Sequence, residues 1–232
     1  MASAQRRRWS KDLPPDLSGL MNTLINYANS FIRKFDNKEK DMRRIVGQLQ
    51  EISAEVRALQ NRGPSDFTRG ARQTFGFFAA PLEFAEKGVQ RVTNAFRESG
   101  KAYQVEKLGK EFTEIVVPLK NDLEQIQKTC EKLEQKSSEV RAKCTLEEME
   151  EFEKILRQVS ELGEKSEGVL GVVVTVLGFI GDLLMLVVNV IAATVSTEVE
   201  EGLRDSIIQS ADQCQKVVRE FETMKKELEE FI

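Results

Sequence analysis

Along most of this chain, apolar residues return every three or four positions, the period of one face of an α-helix. Leu20, Leu24, Tyr27, Phe31 and Phe35 begin the first such seam, and Met42, Ile45, Leu49, Ile52, Val56 and Leu59 continue it. Pro14 and Pro15 bar an earlier start, Asp16 or Ser18 can cap the helix, and Gly63-Pro64 ends it. A second seam runs through Leu108, Phe112, Ile115, Leu119, Leu123, Ile126, Cys130 and Leu133, with a kink expected at Pro118. A third, which Thr145 can cap, holds Met149, Phe152, Ile155, Leu156, Val159 and Leu162. The last passes through Leu203, Ile207, Ala211, Cys214, Val218, Phe221, Leu228 and Ile232, and its spacing places Lys225 in the seam as a polar defect.

Between the third and fourth seams the two-faced pattern stops. Residues 168–197 read GVLGVVVTVLGFIGDLLMLVVNVIAATVST, with Asp182 the single ionisable side chain. A helix that is apolar all round is buried on every side, by protein or by lipid. Asp182 lies near the middle, flanked by Gly178 and Gly181, which predicts a hairpin bent there, with arms 168–180 and 183–195. The stretch GVVVTV is the one place where a strand competes with a helix. The expected fold is therefore all-α: an elongated bundle of long amphipathic helices around a buried apolar hairpin. A basic arm over residues 1–16 precedes a single bundle domain over residues 17–232.

Two other stretches depart from the bundle pattern. Residues 67–97 hold a Phe-rich segment, FGFFAAPLEF at its centre, in which Pro81 breaks any helix. Its aromatics Phe75, Phe77 and Phe78 pack on the bundle, dock at a lipid interface or cover the hairpin in water. The N-terminal arm carries Arg6, Arg7 and Arg8, either a solubilising tail or a tether to anionic lipid, where each cation near the surface contributes about 1 kcal/mol.

Composition narrows the chemistry. Histidine is absent, which removes the usual general base and the commonest zinc ligand, and the three cysteines form no CxxC pair. The glycines fit neither a dinucleotide fingerprint nor a phosphate-binding loop, and no carboxylate pair has an apolar setting that would split it into acid and base. No catalytic, cofactor-binding or metal-ligating set emerges, so neither an enzyme nor a small-molecule substrate is expected. A formal net charge of −4 speaks against general nucleic-acid binding. Trp9-Ser-Lys-Asp follows the arginines where a signal peptide needs an apolar run, so cytoplasmic synthesis followed by membrane association is expected.

Long coiled-coil-like helices interrupted by a glycine-bearing apolar segment resemble the cytolysin A type of α-helical pore-forming toxins. GFIGDLLMLVVNVIAATV followed by the acidic amphipathic EVEEGLRDSIIQSADQCQKVVREFETMKKELEEF is similar to the later part of apolipoprotein L family proteins. Together with the residues, these resemblances imply a helical protein that docks on or inserts into lipid bilayers, self-associating and, at the extreme, forming pores. The membrane-contacting residues expected are Gly171, Val174, Leu177, Phe179, Ile180, Asp182, Leu184, Met185, Val188 and Ile191, with Phe75, Phe77 and Phe78. The alternatives are a non-lytic lipid carrier and a plain structural or adaptor bundle.

Overall fold

The computed structural model describes residues 15–61, 100–141, 146–192 and 197–232. All four elements are helices: α1 Pro15–Asn61, α2 Lys101–Arg141, α3 Leu146–Ala192 and α4 Thr197–Phe231, with no strand among the described residues. The architecture is an all-α bundle. The basic arm with Arg6, Arg7 and Arg8, and the aromatic segment with Phe75, Phe77 and Phe78, lie outside the described residues.

Each helix follows a seven-residue repeat on its buried side, the period at which straight helices must supercoil left-handedly to keep one seam inward. In α2 the repeat is complete: Ala102, Val105, Gly109, Phe112, Val116 and Leu119 continue in phase to Leu133 and Ser137, all buried. In α1 it runs from Leu17 through Phe31 and Phe35 to Val56, with exposed Lys38 the one polar interruption. Proline begins α1, where its missing N–H and fixed φ are tolerated, and α2 runs uninterrupted through Pro118 on its exposed side. Gly100, at φ 70°, adopts the left-handed backbone that glycine takes without strain, and its carbonyl accepts from Gln104 N at 3.1 Å to open α2.

Contacts divide the chain into two units, and every helix contributes a segment to each. The first comprises Met1–Met42, Glu114–Thr175 and Lys216–Ile232. Its centre is aromatic: Phe31 and Phe35 are stacked at 6.3 Å, and Phe221 of α4 meets their edges at 5.5 and 6.1 Å. Such pairs add about 0.5–1.5 kcal/mol to the burial of the rings. Lys34 Nζ lies 2.9 and 2.8 Å from the two carboxylate oxygens of buried Asp122, which ties α1 to α2. Lys165 reaches Glu227 at 2.5 Å, and α2 and α3 approach closely enough that a Cβ on Gly163 would stand 3.3 Å from that of Cys130.

The second unit comprises Arg43–Thr113 and Val176–Gln215. Ile45, Leu49, Ile52 and Val56 of α1 are buried here, as are Phe112 of α2, Ile180, Leu183 and Val187 of α3, and Leu203, Ile207 and Cys214 of α4. The hydroxyl of buried Ser53 lies 2.7 Å from Leu49 O and 2.9 Å from Ile207 O, within donating reach of both, so a polar group in the core is satisfied and joins α1 to α4. Arg44 pairs with Glu111 at 3.0 Å, and Lys101 with Glu55.

Three expectations are corrected. No bend occurs at Asp182: α3 is a single helix of 47 residues, and GVVVTV lies inside it. Each interior glycine costs about 1 kcal/mol relative to alanine, but the inward seam Val173, Val176, Ile180, Leu183 and Val187 is fully buried and carries the helix through. The apolar stretch is also not buried on every side, since only 28% of its most apolar 18-residue window is covered. In α4 the seam position is Met224, at 1% exposure; Lys225 stands beside it and donates to Asp36 at 2.5 Å, which raises the lysine's pKa.

Candidate membrane-contacting face

The chemistry of α3 changes along its outward side. Up to Glu167 the exposed positions are ordinary solvated ones, among them Arg157, Glu161, Glu164 and Lys165. From Gly168 onward the same side shows Gly168, Gly171, Val174 and Thr175, then Gly178, Gly181, Met185 and Val188, with Asp182 its only charge. Met185 is 64% exposed, Val174 54% and Val188 46%, so three large apolar side chains lie open on one helix face, where burial of each would be worth about 1.5–3 kcal/mol. Among the described residues, α3 is the one helix holding an 18-residue window apolar enough, by length and composition, to cross a bilayer.

The ten α3 residues expected to contact membrane divide by burial. Gly171, Val174, Asp182, Met185 and Val188 share the outward face. Leu177, Phe179 and Leu184 are half-buried along its flanks, and Ile180 is in the core at 1% exposure. Ile180 and Leu184 both pack over Gly109: a Cβ there would lie 3.5 Å from Ile180 Cγ2 and 3.1 Å from Leu184 Cδ2. The side chain of Ile191 lies outside the described residues. Gly178, one heptad from Gly171, shares the outward face with it as that spacing implies, and Gly168, Thr175, Gly181 and Asn189 belong to the same face without having been expected there. Their three-four spacing from Gly171 is the signal that finds them.

Two groups of helical glycines among the described residues differ in their surroundings. Gly109 and Gly163 lie inside, where a Cβ would stand 3.1 Å from Leu184 Cδ2 and 3.3 Å from Cys130 Cβ respectively. A Cβ at Gly168, Gly171, Gly178 or Gly181 would meet nothing within 4 Å, so nothing in the fold requires them, and each lowers the helix's own stability. Glycines on an outward helix face let another backbone, or lipid, approach closely.

The polar chemistry nearby is unremarkable for catalysis. No group of three or more potential metal ligands occurs among the described residues. Burial pushes the thiols of Cys130 and Cys214 up to about 12, with Glu134 and Glu131 adding to the effect at Cys130, so neither is a nucleophile near neutral pH. Glu124 is held below the usual carboxylate range by the hydrogen bond from Lys120, an ordinary neighbour pair on α2. Compared with family models, with curated proteins and with solved structures, the chain matches none.

Proposed function

We propose that this protein is membrane-active, placing the outward face of α3 against a lipid bilayer. The observation that carries the reading is the apolar, glycine-rich side of α3 between Gly168 and Asn189, which the bundle leaves uncovered. In water such a surface is unfavourable, and at a bilayer its apolar side chains recover their burial. Asp182 sets the depth. A carboxylate at the bilayer centre costs roughly 2.5 kcal/mol or more, so the bundle docks with this face at the interface, where Asp182 keeps its water. Deeper insertion would require α3 to leave its partners, exposing the seam that holds Val173, Ile180 and Val187. The arginines at positions 6–8 add attraction to anionic lipid, and pore formation after self-association extends the same reading.

Cosedimentation with liposomes tests it. The full chain should pellet with vesicles, more strongly when they contain anionic lipid, and Val174→Lys with Val188→Lys should release it without unfolding it. If the doubly substituted protein pellets as well as the parent, α3 is not the membrane element.

A further inference from the structure

The outward side of α3 is a continuous face separate from the buried one. Gly168, Gly171, Thr175, Gly178, Asp182 and Met185 keep a strict three-four alternation, and Arg157, Glu161 and Glu164 continue it in phase toward the N-terminus, every one exposed. From Gly168 to Met185 these positions are small or apolar except Asp182, a surface against which a second helix can seat closely. Its glycines face open space, so close approach is available to a helix from outside the fold.

The charges on the seam choose the partner and its direction. Neither Asp182 nor Arg157 has an ion-pair or hydrogen-bond partner among the described residues. Laid against a parallel, in-register copy, Asp182 meets Asp182, Glu161 meets Glu161 and Glu164 meets Glu164, all repulsive. In an antiparallel pairing the alternation fits only in steps of one repeat. One step places Gly168 against Gly171, so that glycine meets glycine in both directions at the centre, and brings Asp182 opposite Arg157 at both ends. A shift of one repeat one way sets Asp182 against Glu164, and the other way against Glu150. A shift of two repeats, toward full apolar overlap, leaves Asp182 opposite Gly171 with no cation facing it. A single charged group on a seam specifies register in this manner, at a cost in stability.

We infer that the outward seam of α3 is a self-association surface that pairs antiparallel with α3 of a second copy, Gly168 against Gly171 and Asp182 against Arg157. The contact is isologous: each copy gives and receives the same pairs, so it closes as a dimer and does not propagate. It covers in water the face that the membrane reading exposes to lipid, but it needs no lipid and stands without that reading.

Sedimentation of the full chain in lipid-free buffer tests the pairing, with circular dichroism melts confirming that each variant is folded. The parent should be a dimer that dissociates on dilution. Arg157→Asp and Asp182→Arg each set like charges opposite one another, and should raise the dissociation constant by about tenfold or more. The chain with both changes should dimerise like the parent, because the swap restores both pairs. A parent that is monomeric at every concentration overturns the proposal, and vesicle binding by that monomer would give the seam to lipid. A dimer indifferent to either single reversal, or one that the double swap fails to restore, places the contact at another face or register and overturns it as well.

Discussion

Gly109 of α2 lies under Leu184 of α3, so closely that a Cβ at position 109 would stand 3.1 Å from Leu184 Cδ2. That contact fixes which way α3 faces. With Ile180 and Leu184 turned toward α2, Gly178, Asp182 and Met185, on the opposite side of the helix, are turned outward. Alanine at position 109 asks a side-chain end to yield by a few tenths of an ångström while removing glycine's helix penalty, and should be nearly neutral. Gly109→Val should destabilise the fold by about 1–3 kcal/mol, as overpacking does, read as a drop in the denaturation midpoint.

The four outward glycines should behave oppositely. With nothing within 4 Å of a new Cβ, alanine at Gly168, Gly171, Gly178 or Gly181 should stabilise the fold by up to about 1 kcal/mol each. The same changes should weaken self-association, since added methyl groups hold two backbones apart. Melting temperature and sedimentation measured on one set of proteins separate the two effects.

Charge on α3 has a different consequence on each side of the helix. Val174 is 54% exposed and Val187 fully buried. Val174→Lys should leave the melting temperature close to that of the parent, whereas Val187→Lys should unfold the protein or cost several kcal/mol, a buried unpaired ammonium being the reason. Asp182→Asn removes the one charge on the outward face beyond Gly168 and should strengthen liposome binding at neutral pH, checked by titration with vesicles.

Alkaline conditions should loosen the fold. The thiols of Cys130 and Cys214 are raised to about 12 from 9.0, so the unfolded chain ionises first as pH rises. Their contribution is complete below pH 9.0 and is lost between there and about 12, on the order of a few kcal/mol for each thiol. Lys225 acts in the same direction: its hydrogen bond to Asp36 raises its pKa, and the stability it adds is present below the ordinary lysine range and lost above it. In a Cys144→Ser background, neither remaining thiol should react with a thiol reagent until denaturant is added, and stability should fall as pH climbs past 9.0.

Most of the bundle was legible in the order of residues because each amphipathic helix contrasts an apolar side with a charged one. The seams through Phe31, Phe112, Val159 and Phe221 were visible for that reason. The α4 seam was misphased by one residue near its end, where Lys225 is as well spaced from Phe221 as Met224 is; the ion pair with Asp36 explains how the lysine lies beside the core. The course of α3 was not legible. A stretch apolar all round offers no contrast from which to read a face, and Gly178, Gly181 and Asp182 together look like a bend. The phase was nonetheless present upstream, where Val159, Leu162, Ser166 and Val169 set the buried side, and extending it by sevens reaches Val173, Ile180 and Val187. What the outward side is for depends on what it meets outside the chain, and a sequence pattern gives only its chemistry.

The most direct test of the account follows single positions into the bilayer. An environment-sensitive fluorophore attached at Met185→Cys in a chain otherwise lacking accessible thiols should shift to the blue on adding anionic vesicles, and brominated acyl chains should quench it. The same label at exposed Thr223→Cys on α4 should do neither. A label at position 185 that stays in water while the protein sits on the vesicle would contradict the assignment of α3's outward face to the membrane.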